Sequence, residues 1–236
     1  MRLHRFYIAE KILTKKLCIK DESLIHQWRN VFRYNVGSEV VLFDGSGFEY
    51  DCVILKLSNR EAELNVVSKK KGVMPEREIT LYQSLIKKDK MEWVVEKATE
   101  LGVSKIVPII SDRSEKKGFN LARAKKIAIE ASEQCGRGDV PEIGEVMNYE
   151  LGIMNHGENI IVLDPSGVPL HNSYVVPHNS FSLFIGPEGG WSEKELNLFK
   201  QKNAEILSLG KLTLRAETAA ITSIAKLNIW PDQAKC

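Results

Sequence analysis

Two short runs, Asn159-Ile160-Ile161-Val162-Leu163 and Phe181-Ser182-Leu183-Phe184-Ile185, are apolar almost without a break. A strand with one wet face alternates apolar and polar residues, so unbroken runs of this length suit strands covered on both faces, as in a parallel sheet. Ile79 to Leu85, Ile106-Val107-Pro108-Ile109-Ile110 and Ile206-Leu207-Ser208-Leu209 read as further strands. Between them the period becomes helical. Met91, Val94, Val95, Ala98 and Leu101 share one face, opened by an Asp89/Glu92 capping box and closed by Gly102. Leu121, Ala124, Ile127, Ala128 and Ala131 share another, capped by Asn120 and ended by Gly136. Ser192 and Glu195 make a second capping box, with Trp191 and Leu196 placed as a hydrophobic staple. A last apolar helix runs from Thr218 to Trp230, stopped by Pro231. Alternating strands and helices predict an α/β domain with a mostly parallel sheet over residues 76–236.

The first 67 residues follow a different rule. Phe6-Tyr7-Ile8, Val40 to Phe43, Cys52 to Leu55 and Ala62 to Val67 are β-like runs, separated by turn signals at Asp44-Gly45-Ser46-Gly47 and Ser58-Asn59-Arg60. One short helix is expected over Leu24 to Phe32. Residues 1–70 are therefore predicted to form a separate small barrel or curled sheet. The Lys69-Lys70-Lys71-Gly72-Val73-Met74-Pro75 stretch is expected as the linker.

Charge narrows the function classes only by its distribution. The 236 residues carry a net +2, but residues 1–72 hold 13 Lys+Arg against 9 Asp+Glu and the remainder 20 against 22. A mildly basic first part suits a binding module attached to a catalytic one, and equally a solvated surface. Cys18, Cys52, Cys135 and Cys236 include no C-x-x-C pair, which argues against a zinc site or a disulfide framework; no metal is expected. No secretory leader and no membrane-length apolar run is apparent, so a cytoplasmic protein is expected.

Three strand ends carry candidate chemistry: Leu163-Asp164-Pro165-Ser166-Gly167, Ile185-Gly186-Pro187-Glu188-Gly189-Gly190-Trp191-Ser192, and Leu209-Gly210 through Arg215-Ala216-Glu217-Thr218-Ala219. Ligands of open α/β sheets bind beyond the carboxyl ends of the strands. Glycines there allow close backbone approach, and the second segment also delivers a helix N-terminus. The spacing matches neither the dinucleotide fingerprint nor a phosphate-binding loop. Ordinary strand-to-helix turns explain it as well.

Glu96-Lys97-Ala98-Thr99-Glu100-Leu101-Gly102-Val103, Glu133-Gln134-Cys135-Gly136-Arg137, Ile185 to Gly190 and Leu209-Gly210 through Ala219, in this order, resemble the RsmE family, 16S ribosomal RNA methyltransferases of the SPOUT superfamily. Arg5-Phe6-Tyr7 and the β-rich stretch after it resemble that family's PUA-like RNA-binding domain. The resemblance implies a trefoil-knotted methyltransferase domain, a knot that general chain topology argues against. It implies a homodimer, S-adenosyl-L-methionine as cofactor, and N3-methyluridine in 16S ribosomal RNA of the small ribosomal subunit as product.

Carried onto this chain, the motifs put the cofactor against Leu163, Ile185, Gly186, Pro187, Glu188, Gly189, Leu209, Gly210, Leu212, Leu214, Thr218 and Ala219. The leucines fit core packing equally well, and Glu188 fits a cap on the amides of its own turn. Arg215 and Glu217 are the candidate catalytic residues: an arginine to orient RNA or cofactor, and a carboxylate to receive a proton or position the uracil. An ion pair between the two is the plainer alternative. Uracil N3 carries a proton at neutral pH, and no histidine lies in the three loops. A carboxylate, an arginine stabilising the anion, or water remains to assist its loss. Expected RNA contacts are Arg2, Arg5, Arg33, Arg113, Arg123 and Arg137, with Lys116, Lys117, Lys125 and Lys126 completing a basic segment that contains one acid, Glu115. A competing reading is a non-catalytic RNA-binding ribosome-assembly factor.

Overall fold

The structure is a computed structural model and describes residues 3–114, 118–154, 159–170, 176 and 178–228. It forms two compact units: Met1–Met74 with Ser132–Val140, and Pro75–Ala131 with Pro141–Cys236.

In the first unit β1 (Arg5–Tyr7), β2 (Lys16–Ile19), β3 (Glu39–Phe43), β4 (Phe48–Leu57) and β5 (Ala62–Lys71) build a sheet in the order β1-β3-β4-β5-β2. Only β1 and β3 run parallel. The pairing stays open between β1 and β2 among the described residues. Bulges at Asp51/Cys52 and Ile54/Lys56 interrupt the long β4–β5 ladder, where bulges add bend and twist. The expected helix is α1 (Glu22–His26), capped by the Asp21 side chain and continued as a π-helical turn over Gln27–Val31. It seats Trp28, fully buried, edge-on against Phe6 at 5.4 Å between ring centroids.

The lysine run is strand rather than linker. Lys69, Lys70 and Lys71 pair with Tyr50, Glu49 and Phe48, while β2 covers β5 only from Ala62 to Asn65. The uncovered edge is thus carried by lysines, which discourage pairing with another chain. Lys70 meets Asp51 at 3.0 Å, and Lys69 lies 4.0 Å from the Phe48 ring centroid.

The second unit opens with β6 (Glu78–Ser84), α2 (Lys88–Glu100), β7 (Lys105–Ile110) and α3 (Leu121–Cys135), whose last turn belongs to the first unit. Then follow β8 (Glu142–Ile143), β9 (Met147–Asn148), α4 (Tyr149–Met154), β10 (Ile160–Pro169), β11 (Ser180–Ile185), α5 (Glu193–Gln201), β12 (Glu205–Ser208) and α6 (Ala216–Asn228). The sheet order is β12-β10-β11-β6-β7-β8, with β9 beside β7, and every pairing is parallel. One face packs Tyr82, Val162, Phe184, Trp191 and Phe199 into a cluster that Leu196 joins. Met91, Val94, Val95 and Ala98 are the buried side of α2, as their spacing predicts.

Two local expectations change. Lys87 rather than Asp89 precedes the first turn of α2, and it makes no side-chain cap. Asp89 sits inside that turn, where a carboxylate still favours the positive end of the helix. Glu92 reaches Arg123 Nε at 3.3 Å instead of closing a box. The Asp164–Gly167 segment is an excursion within β10: Leu163 and Val168 both face Leu207 across the ladder. A Cβ on Gly167 would lie 2.6 Å from the Ile206 carbonyl oxygen, so only glycine fits there.

Candidate functional site

The ends of β11 and β12 and the Leu163–Pro165 stretch of β10 border one cleft. Leu163, Ile185, Leu209, Leu212, Leu214, Ala216 and Ala219 supply its apolar wall. Among the described residues Asp164 and Glu188 are the charged ones lining it, and none is cationic. Pro165, Gly186, Pro187, Gly190, Trp191, Ser208, Gly210 and Thr213 complete the lining.

Trp191 holds this arrangement together. Its indole N–H donates to the Leu163 carbonyl at 3.0 Å, tying β10, where its pairing with β11 stops, to the glycine loop after β11. A Cβ on Gly186 would come 3.1 Å from the indole, so this glycine makes room for the ring. Gly190 has φ of +68° and closes the loop by donating its N–H to Pro187 O at 2.9 Å. The Ser192–Glu195 capping box then starts α5. Fully buried Glu195 accepts from Ser192 N at 2.7 Å and also from Asp112 N at 3.0 Å, in the loop after β7.

Of the residues expected at the cofactor, Leu163, Ile185, Gly186, Pro187, Glu188, Leu209, Gly210, Leu212, Leu214 and Ala219 line the cleft. Gly189 and Thr218 do not; the Gly189 carbonyl accepts from Arg113 Nη1 at 2.9 Å. Glu188 is exposed and caps no amide of its turn. Sequence reasoning passed over Trp191 as a cleft residue because the staple pattern already explained it. Asp164 and Thr213 lie inside the motif segments and Ser208 just before the third, but none carries a signal of its own.

Arg215 immediately precedes α6, accepts the Ala219 N–H on its carbonyl at 2.8 Å, and exposes its side chain. Among the described residues its guanidinium has no hydrogen-bond or ion-pair partner. Glu217, in the first turn of α6, is 5% exposed and faces Lys90 Nζ of α2 at 3.7 Å. The alternative ion pair of Arg215 with Glu217 is not formed; Glu217 is paired with Lys90 instead. Lys90 carried no motif signal; only the packing of α2 on α6 brings it there.

The expected RNA contacts divide by burial. Arg33 is exposed, in the left-handed region at φ 55°. Arg123, Lys125 and Lys126 are exposed on α3. Arg2, Lys116 and Lys117 lie outside the described residues. Arg5 and Arg137 are 8% and 5% exposed, with their guanidinium groups inside the first unit. Arg5 donates to the carbonyls of Ser132 (2.9 Å), Glu133 (3.2 Å) and Arg137 (2.9 Å) and pairs with Glu49 at 2.7 Å. A cation on the last carbonyls of α3 meets the negative end of that helix. Arg137 is bidentate on Asp139, at 2.8 and 2.9 Å. Their partners are protein groups, because the 132–140 segment folds onto β1, Gly47 and Gly72–Val73, which a reading by contiguous segments does not anticipate.

Among the described residues no helix is long and apolar enough to cross a membrane.

A family model described as an RNA methyltransferase domain matches residues 74–228, and one described as an RNA methyltransferase PUA domain matches residues 29–67. Ribosomal RNA small subunit methyltransferase E of Aquifex aeolicus is 33% identical over 95% of this chain and 99% of its own length; that of Rickettsia conorii is 28% identical over 97% and 96%. The structure of ribosomal RNA small subunit methyltransferase E from Neisseria gonorrhoeae bound to S-adenosyl methionine superposes with a TM-score of 0.87, at 29% identity over 95% of this chain and 96% of that one. With a parallel α/β unit, a β-rich unit before it and a cleft made by the recurring motifs, the chain belongs to the ribosomal RNA small subunit methyltransferase E family.

Proposed function

We propose that this chain transfers a methyl group from S-adenosylmethionine to N3 of one specific uridine in 16S ribosomal RNA during maturation of the small subunit, as a cytoplasmic homodimer. The convergence of all three motif segments on a single cleft carries this reading. The cleft suits the cofactor chemically. Its apolar walls take an adenine ring, and Asp164 and Glu188, unopposed by a cation among the described lining residues, suit a ligand bearing a sulfonium and an ammonium. The same charge balance disfavours a nucleoside triphosphate. When bound, the sulfonium supplies an electrophilic methyl that needs no metal.

The protein's task is then alignment and removal of the N3 proton. Glu217, beside the cleft residues Ala216 and Ala219, either receives that proton or positions the uracil, with Lys90 across from it. Arg215 offers an unengaged guanidinium at the mouth of α6, suited to the uracil anion or an RNA phosphate. Exposed Arg33, Arg123, Lys125 and Lys126 supply phosphate contacts, while Arg5 and Arg137 shape the unit that presents such contacts.

The test incubates the protein with radiolabelled S-adenosylmethionine and small ribosomal subunits lacking the modification, followed by nucleoside analysis. Label in N3-methyluridine is expected. No label with calorimetric cofactor binding moves the target to another RNA or base. Neither label nor cofactor binding favours the non-catalytic assembly factor.

A further inference from the structure

Arg113 heads the basic segment expected at the RNA, yet its guanidinium is already engaged. Nη1 donates to the Gly189 carbonyl at 2.9 Å and to the Trp191 carbonyl at 3.4 Å. The packing is equally close: a Cβ added to Gly189 would lie 3.1 Å from Arg113 Cβ. The preceding residue repeats the attachment. Asp112 gives its N–H to buried Glu195, and its carboxylate accepts from Ser192 Oγ. Two consecutive residues of the loop after β7 therefore grip residues 189–195, and Gly190 and Trp191 of that segment line the cleft.

We propose that Arg113 is a positioning residue for the cofactor cleft rather than a phosphate contact. A loop containing Gly186, Gly189 and Gly190 has little backbone restraint of its own, so a clamp from outside has most effect there. Charge-assisted donors bind carbonyls more strongly than neutral ones, and the planar guanidinium retains its charge at any working pH. Fixing the Gly189 and Trp191 carbonyls fixes the backbone from which the Trp191 indole reaches Leu163. This inference rests on the reading of the cleft as the S-adenosylmethionine site.

The experiment measures S-adenosylmethionine affinity by calorimetry, small-subunit RNA affinity by filter binding, and steady-state kinetics, for the full chain and its R113A and R113K variants. R113A is expected to weaken S-adenosylmethionine roughly tenfold. It should raise KM for that substrate more than it lowers kcat, with RNA affinity unchanged. R113K should recover most of the loss, since an ammonium can also donate to the carbonyls. Loss of RNA affinity with cofactor affinity intact overturns the proposal in favour of a phosphate contact. A loss that lysine fails to recover, accompanied by a lowered melting temperature, overturns it in favour of a purely structural role. Wild-type protein that binds no S-adenosylmethionine overturns the reading of the cleft and the inference with it; that outcome is distinct from wild-type binding matched by R113A, which removes the inference alone.

Discussion

The Trp191 indole N–H and the Leu163 carbonyl, 3.0 Å apart, join the glycine loop after β11 to the neighbouring parallel strand β10, and both residues line the cleft. Trp191 is 4% exposed and stacks edge-on to Phe199 at 5.1 Å, so the bond is made from a ring that packing holds in place. Trp191→Phe keeps the aromatic packing and leaves the Leu163 carbonyl without its donor. It is expected to cost about 1 kcal/mol in stability and to weaken S-adenosylmethionine by about fivefold. Trp191→Ala adds a cavity, at a cost of about 3–5 kcal/mol. Urea denaturation and calorimetric titration check both; equal cofactor affinity in wild type and Trp191→Phe would show that the bond does not shape the cleft.

What could be read from the chain alone follows how local the cause is. Unbroken apolar runs announce β10 and β11 because a strand covered on both faces needs apolar residues on both. The Ser192–Glu195 capping box was legible because its partners lie three residues apart. The second acceptor duty of Glu195, toward Asp112, was not, since the two are 83 residues apart in the chain. Still longer separations in sequence hid Lys90 from Glu217 and the 132–140 segment from Arg5. The lysines of β5 misled because a charge run reads as loop, whereas an uncovered edge calls for charge.

Lys90 and Glu217 face each other at 3.7 Å, with Glu217 nearly sealed from solvent. If Glu217 acts on the uracil, Glu217→Gln keeps its shape and removes its charge. It should lower kcat about 100-fold or more, with little change in S-adenosylmethionine affinity. Lys90→Met should lower kcat less, and the double variant should be no slower than Glu217→Gln alone, because both act through one pair. Single-turnover rates on modification-free subunits check this; strictly multiplicative effects would separate Lys90 from Glu217.

Arg5 serves three carbonyls and Glu49 from a site 8% exposed. Arg5→Ala leaves the Glu49 carboxylate with only Lys70, at 3.7 Å, and those carbonyls short of donors. A loss of about 3–5 kcal/mol is expected, readable as a lower denaturation midpoint. A direct RNA contact predicts the reverse pattern, weaker RNA binding with an unchanged midpoint.

Cys52 lies on β4 with 1% of its surface exposed, and burial first, then the Asp51 charge, push its thiol up to about 12 from an ordinary 9.0. At pH 8 a thiolate fraction on the order of one in ten thousand follows, so a thiol reagent should modify exposed Cys18 quickly and Cys52 only through unfolding. The same shift sets a sign for stability. Above pH 9 the unfolded chain releases the Cys52 proton while the folded chain retains it until about 12. The unfolded state then binds fewer protons, and unfolding free energy falls as pH rises through that window. Cys52→Ala removes this contribution, so its melting temperature should fall less steeply than that of wild type between pH 9 and pH 11. Parallel melting curves over that range would mean that Cys52 reaches solvent as readily folded as unfolded.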